Sequence, residues 1–102
     1  MIANIRALLL LRERIPFSED SFAELVLWQL PAPLAGSVHA FKYRLAFVKA
    51  GVCIVRFDSE AGKGDHCHVR GRRRPYGFVS PEKLVEDFLR EARSIDDEDR
   101  DS

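Results

Sequence analysis

A chain of 102 residues, of which 46% are hydrophobic and 31% are charged, has the size and composition of one globular domain. No apolar run approaches the roughly 18 residues that a membrane-spanning helix needs, so no transmembrane helix is expected. The two cysteines form no CxxC pair and no disulfide framework, so we expect a protein of the reducing cytoplasm.

The net charge of +0 hides a strong asymmetry along the chain. Residues 39–74 hold nine basic and three acidic residues, whereas residues 96–102 hold five acidic residues and one basic residue. A basic central body favours an anionic partner such as RNA or DNA. The alternative is that this charge only keeps a small domain soluble.

The first half of the chain alternates short apolar runs with turn signals, a pattern typical of an antiparallel meander. The predicted strands cover residues 5–15, 22–30, 41–48 and 52–57, with a turn at 16–20 and a connection at 31–37. Gly51 suits a tight hairpin at residues 49–51, because glycine adopts positive φ without strain. Residues 59–75 are rich in glycine and charge, so we predict a long loop with at most a short strand near His68.

A C-terminal helix follows this loop. Ser80 suits the N-cap and Pro81 the first helical position, and the next apolar residues recur at helical spacing. We expect the helix to end near Ser94 and the acidic residues 96–102 to form a disordered tail. The predicted fold class is α+β: one domain over residues 1–95, built from a four- to five-stranded antiparallel meander sheet with the helix packed on one face.

Alternation of side chains divides the third and fourth predicted strands into two faces. The apolar face, which should pack against the helix, carries Tyr43, Leu45, Phe47, Cys53, Val55 and Phe57. The opposite face carries Lys42, Arg44, Arg56 and Asp58, and it leads into the predicted loop. A solvated sheet face without function is the alternative. We expect Trp28 in the core, whereas Tyr76 could stack on a nucleic-acid base.

Residues 63–68 place an ammonium, a carboxylate and two imidazoles close together. Imidazole titrates near neutrality, so it suits proton transfer or metal ligation. Cleavage of RNA needs a base for the 2′-hydroxyl, an acid for the leaving 5′-oxygen and cations for the phosphate. The acid–base candidates are His39, His66 and His68, with Asp58 and Asp65 to orient an imidazole. The phosphate-binding candidates are Lys42, Arg44, Arg56, Lys63, Arg72, Arg73 and Arg74.

Two other interpretations of this segment stay open. The two histidines could bind zinc or another transition metal, with Asp65 or Cys67 as a further ligand. However, an extended strand points Cys67 away from both imidazoles, and the neighbouring cations oppose a metal ion. Alternatively, the arginines of residues 72–74 bind phosphate groups without catalysing a reaction, and the binding affinity would then depend strongly on salt concentration. We expect acid–base chemistry without a metal or another cofactor.

Three runs of the sequence carry a family resemblance: SVHAFKYRL at residues 37–45, VRFDSE at 55–60 and GKGDHCH at 62–68. This pattern resembles the TumE-like family of small prokaryotic toxin–antitoxin proteins, in matching order over most of residues 5–92. The chain departs from the family at Ser59, where Asn is more familiar, and at Cys67, where Arg is common. The resemblance implies a toxin paired with a neighbouring helix-turn-helix antitoxin, and it supplies no catalytic mechanism.

The sequence therefore predicts a cytoplasmic toxin that acts on RNA as a metal-independent ribonuclease. One alternative is a non-enzymatic module that binds nucleic acid or protein, and another is a small histidine-ligated metalloprotein. No membrane contact is expected. A small sheet leaves an edge and a face uncovered, which is compatible with a homodimer.

Overall fold

The computed structural model describes residues 6–101, with side chains as far as residue 98. Within these residues, six strands pair in chain order into one antiparallel meander, and a helix follows. The strands are β1 (Leu8–Ser18), β2 (Ser21–Gln29), β3 (Phe41–Lys49), β4 (Val52–Glu60), β5 (Gly64–Val69) and β6 (Arg72–Pro75), and the helix α1 is Pro81–Asp101. The predicted α+β class is confirmed, but the sheet has six strands instead of four or five. None of the helical structure described here is both long enough and apolar enough to cross a membrane.

Two hairpins turn through a pair of residues with positive φ. Ala50 and Gly51 join β3 to β4 with φ of 50° and 78°, and Arg70 and Gly71 join β5 to β6 with φ of 52° and 81°. Positive φ at both central residues gives a turn whose twist matches that of the flanking strands. The predicted tight hairpin at residues 49–51 is confirmed.

The prediction of a long loop at residues 59–75 is wrong, because most of this segment is strand. β5 pairs with β4 on one side and with β6 on the other. All four residues of β6 are exposed, and three of them are arginines. Charged side chains are common on an edge strand, where they discourage pairing with other chains. Such a strand lacks the apolar alternation from which strands are predicted.

β1 begins and ends later than the predicted strand at 5–15, whose first residue lies outside the described residues. The strand continues through Pro16 to Ser18, so the turn shrinks to residues 19–20. Proline is tolerated here because β1 is an edge strand, whose one partner within residues 6–101 is β2.

The helix packs on the sheet face that was predicted to be apolar. The buried residues of the resulting core include Tyr43, Leu45, Phe47, Val55 and Phe57 from the sheet and Leu84, Phe88 and Ala92 from the helix. Cys53 is the exception to the prediction. A register shift after Phe47 pairs Val48 with Cys53, so Cys53 is exposed and Ile54 packs against the core instead.

The helix continues past its predicted end at Ser94 and runs through residues 96–101, where the sequence predicted a disordered tail. Ile95 and Asp96 are buried, and Glu98 forms an ion pair with Arg70 of the β5–β6 turn. These tertiary contacts support turns of helix that the acidic composition alone does not favour.

The start of α1 is fixed by two sets of hydrogen bonds. The Ser80 hydroxyl accepts a hydrogen bond from the Lys83 backbone N–H at 3.1 Å, as predicted for an N-cap. The Asp87 carboxylate accepts hydrogen bonds of 2.7 Å from the Tyr76 hydroxyl and 2.7 Å from the Lys83 ammonium. Burial opposes ionisation of Asp87, but the hydrogen bonds from Lys83 and Tyr76 hold its pKa below the ordinary 3.8.

Replacement of Asp87 by asparagine is expected to lower the Tm at neutral pH by about 5 °C, because it weakens charge-assisted bonds worth about 1 kcal/mol in total. A lowered carboxyl pKa stabilises the fold above the ordinary value, and this stability is lost as the pH falls through the folded-state pKa. The difference in Tm between the Asp87→Asn variant and the wild type should therefore become smaller below pH 3.8. Thermal unfolding followed by circular dichroism over a pH series measures this difference in Tm. A difference that stays constant on acidification would contradict the stabilising role of the ionised Asp87 carboxylate.

Candidate active site

β4 and β5 bring two histidines onto the sheet face opposite to α1, which we call the open face. Asp58 is the cross-strand partner of His66, and Arg56 is the partner of His68. Paired residues of antiparallel strands point to the same face, so these four side chains are neighbours. Cys67 lies between the histidines in sequence and points into the core, where it is buried. We call Arg56, Asp58, His66 and His68 the imidazole cluster.

The Asp58–His66 contact leaves polar atoms unsatisfied. His66 is only 5% exposed, and its Nε2 lies 3.1 Å from Oδ1 of Asp58. This contact is close but lacks hydrogen-bond geometry, and Asp58 Oδ1 and His66 Nδ1 are both buried without a hydrogen-bond partner among the described residues. Nε of Arg56, 3.6 Å from Oδ2 of Asp58, is a third such atom. Because such atoms are rare and costly, three in one cluster indicate a site suited to an external polar group.

The Arg56–His68 contact fixes the state of the second imidazole. Nη2 of Arg56 lies 3.0 Å from Nε2 of His68. A guanidinium can only donate, so Nε2 of His68 accepts and the ring is neutral with its proton on Nδ1. Burial, the positive charge of Arg56 and the neighbouring His66 lower the pKa of His68 below its ordinary 6.5. His68 is therefore neutral at physiological pH and able to take up a proton.

Three further cations share the open face. Arg44 is the cross-strand partner of Asp58, Lys42 lies two residues before it in β3, and Arg73 is the partner of His68. Lys42 and Arg44 are exposed, and neither forms an ion pair with any described side chain. This face therefore combines the imidazole cluster with two cations, Lys42 and Arg44, that form no ion pair within the part of the chain that the structure describes.

The other predicted phosphate-binding residues lie elsewhere. Arg72 and Arg74 alternate with Arg73 in β6, so they point to the side of α1, and Arg74 lies 3.8 Å from Glu91 of the helix. Lys63 lies in the β4–β5 turn, 3.5 Å from Glu60. The arginine run is thus divided between the two sides of the sheet instead of forming one cationic patch.

His39 and Asp65 do not join the imidazole cluster. Asp65 precedes His66 in β5 and points to the opposite side of the sheet, where its Oδ2 lies 2.6 Å from Nε2 of His39. Nδ1 of His39 accepts a hydrogen bond of 3.1 Å from the Phe41 backbone N–H, and its ring stacks on Phe78 with centroids 4.1 Å apart. Both ring nitrogens of His39 therefore have partners within the protein, and this predicted acid–base residue lies apart from the other two histidines.

The environment of the His39–Asp65 pair is apolar and enclosed. The side chains of His39 and Asp65 are only 13% and 8% exposed. Burial and the negative charge of Asp65 raise the pKa of the neighbouring Tyr43 hydroxyl. The pair thus fastens the connection between β2 and β3 to β5 on the helix side of the sheet.

Two aromatic residues lie where the sequence did not predict them. Tyr76, a candidate for base stacking, packs against Phe57 with ring centroids 5.1 Å apart and donates its hydroxyl to Asp87. Trp28, expected in the core, is only half-buried and lies on the open face as the cross-strand partner of Lys42. The alternation of side chains along β2 could have predicted this position. Ala23, Leu25 and Leu27 form the buried face of the strand, and Trp28, one residue further, points to the other face.

Asp58, His66 and His68 also offer three potential metal ligands. One ligand atom from each lies within 4.8 Å of the others. Two imidazoles and a carboxylate suit several divalent transition metals. However, Arg56 donates to Nε2 of His68 and brings a positive charge into the same cluster. The spacing permits a metal ion, whereas the electrostatics of the cluster disfavour one.

A double-mutant cycle should detect the structural role of His39. His39→Ala and Asp65→Ala are each expected to destabilise the fold, and their coupling free energy should be about 1.5–3 kcal/mol, the range for hydrogen bonds to charged groups. Urea unfolding of the wild type, both single variants and the double variant measures this coupling. Additive effects of the two substitutions would show that the pair does not support the fold.

Comparison with known proteins and family models identifies the family to which the chain is similar. Searches of curated proteins and of solved structures find no match to the chain. A family model described as Toxin TumE matches residues 5–97, nearly the whole chain. The chain therefore belongs to the TumE toxin family, and this membership implies an antitoxin as its partner.

Proposed function

We propose that this toxin cleaves RNA at the imidazole cluster without a metal ion. The observation that carries the proposal is that two imidazoles, a carboxylate and a guanidinium share one cationic sheet face, where three of their buried polar atoms lack a hydrogen-bond partner among residues 6–98. RNA cleavage needs groups of these types: a base, an acid, an orienting carboxylate and a cation for the phosphate.

The reaction is an internal transesterification. His68 takes the proton from the 2′-hydroxyl while the 2′-oxygen forms a bond to phosphorus. The bond from phosphorus to the 5′-oxygen breaks, and the 5′-oxygen receives a proton from His66, whose ring Asp58 orients. The products are a 2′,3′-cyclic phosphate and a 5′-hydroxyl end.

His68 is the base because it is held neutral. Its Nε2 lone pair accepts from Arg56, so an approaching phosphate would compete for the guanidinium and release that lone pair for proton transfer. Arg56 and Arg44 would then face the negative charge that develops on the phosphate. Because His66 is 5% exposed, binding of the RNA must also open a path to its ring.

Three further features of the protein belong to this proposal. The antitoxin is of the helix-turn-helix type, as the resemblance implies, and the pair acts in the cytoplasm. A homodimer is supported by β1, an edge strand whose Leu8, Leu9 and Leu10 are 60%, 45% and 47% exposed.

Substitution of His68 or His66 by alanine is expected to reduce the rate of RNA cleavage by roughly 10²–10⁴-fold, the usual contribution of a general acid or base. The matched control is His39→Gln, whose amide can still donate to Asp65 and which should retain wild-type cleavage. Purified proteins are incubated with labelled RNA in EDTA, and the product ends are identified. Cleavage that survives both alanine substitutions, or no cleavage by the wild type, would overturn the proposal.

A metal-dependent reaction is the second candidate, favoured because the three potential ligand atoms lie within 4.8 Å of one another. The same assay separates the two candidates. Cleavage that EDTA abolishes and added zinc or manganese restores would assign the cluster to a metal ion, whereas undiminished cleavage in EDTA supports acid–base chemistry.

The charge of Arg56 should set the pH dependence of His68. Because Arg56 helps to lower the pKa of His68, Arg56→Gln is expected to raise that pKa, so the variant takes up a proton at higher pH than the wild type. The acidic limb of kcat/KM, where the base becomes protonated, should move to higher pH in the same direction. NMR titration of the imidazole resonances, assigned with single histidine variants, measures the shift.

The matched control for this titration is Arg70→Gln. It removes the same charge from a residue that pairs with Glu98 of the helix instead of with His68. An equal shift of the His68 titration in both variants, or no shift in either, would show that Arg56 does not control this ring.

A further inference from the structure

A cleft on the open face adjoins the imidazole cluster and is not needed for proton transfer. It encloses about 280 Å³, and its lining includes Val26, Trp28, Lys42, Arg44, Asp58 and Glu60. Trp28 supplies an aromatic surface from β2, and Lys42 lies beside it as its cross-strand partner. Asp58 belongs both to this cleft and to the imidazole cluster, so the two sites are continuous.

The charges around the cleft favour an anionic ligand. Its two acidic residues already have cationic partners, since Asp58 lies 3.6 Å from Arg56 and Glu60 lies 3.5 Å from Lys63. Its two basic residues, Lys42 and Arg44, form no ion pair with any side chain between residues 6 and 98. The cleft therefore presents a half-buried indole of β2 beside two cations of the neighbouring strand β3, Lys42 and Arg44.

We infer that this cleft binds an unpaired nucleotide of the RNA substrate, with its base stacked on Trp28 and its phosphate held by Lys42 and Arg44. The inference rests on the proposed function, since both take RNA as the ligand of the open face. Trp28 and Asp58 are two strands and two residues apart, which corresponds to roughly 12 Å. The nucleotide in the cleft and the phosphate at the imidazole cluster would therefore be close together in the sequence of the bound RNA.

Stacking on an indole has a consequence for substrate choice. A base can stack on a side chain only when it has left its own helical stack, and aromatic platforms accept any base because every base has a π-face. The cleft would therefore select single-stranded RNA or loops over duplex RNA, with little preference for one base.

Trp28 also reports on its own occupancy, because it is the only tryptophan of the chain. The wild-type protein is titrated with a single-stranded 2′-O-methyl oligoribonucleotide, which cannot be cleaved because its 2′-oxygen is blocked. We expect saturable quenching of tryptophan fluorescence, and weak or no quenching with a duplex of the same sequence.

Variants then separate stacking from general charge attraction. Trp28→Ala should raise the Kd for the oligonucleotide roughly 10-fold, while Trp28→Phe should retain most of the affinity. Fluorescence anisotropy of a labelled oligonucleotide measures both. The double variant Lys42→Gln/Arg44→Gln should bind more weakly and with a smaller salt slope. The matched control is Arg72→Gln, an exposed cation on the other side of the sheet, which should bind like the wild type.

Absence of quenching, equal quenching by single-stranded and duplex RNA, or wild-type affinity in Trp28→Ala would overturn the inference. These failures differ from failure of the proposed catalysis. If His68→Ala cleaves RNA normally but quenching persists, the nucleotide site stands and the catalytic proposal falls. If cleavage depends on His68 but Trp28→Ala leaves both Kd and KM unchanged, only the nucleotide site falls.

Discussion

The pairing of β4 with β5 is the constraint on which the open face depends. Its register places Asp58 opposite His66 and Arg56 opposite His68, with Cys67 turned into the core between them. Because side chains alternate with a period of two, a slip of one residue would turn both imidazoles to the helix side and the Cys67 thiol to the open face. The burial of Cys67 against the helix side therefore helps to hold the histidines on the open face.

The two sides of the sheet differ in how far their polar and charged groups are paired within the protein. On the helix side, the His39–Asp65 pair and the Tyr76–Asp87 hydrogen bond fasten loops to the core, and one buried hydroxyl, that of Tyr43, has no hydrogen-bond partner among the described residues. On the open face, three buried polar atoms of the imidazole cluster have no hydrogen-bond partner in the described part of the chain, and Lys42 and Arg44 form no ion pair with a described side chain. A face that leaves polar and cationic groups available is suited to a ligand, whereas the helix side is suited to stability.

The sequence predicted the strands and the start of the helix where local signals are strong. The alternation of β3, Gly51 in its hairpin and the Ser80 cap are each set by neighbouring residues, and the structure has them as expected. β5 and β6 were missed because their polar side chains give no apolar period, and their pairing depends on β4. Trp28 was assigned to the core on its residue type, although its phase in β2 places it on the open face.

By itself the sequence determined the residue types available for chemistry, the family and the class of fold, because these follow from composition, motifs and local periodicity. Only the tertiary structure decided which of the candidates meet. Residues adjacent in sequence, such as Asp65 and His66, point to opposite sides of a strand, while Asp58 and His66 meet across two strands. Proximity in a sheet is set by pairing register between distant segments, and that register results from burial of the whole core instead of from any one motif.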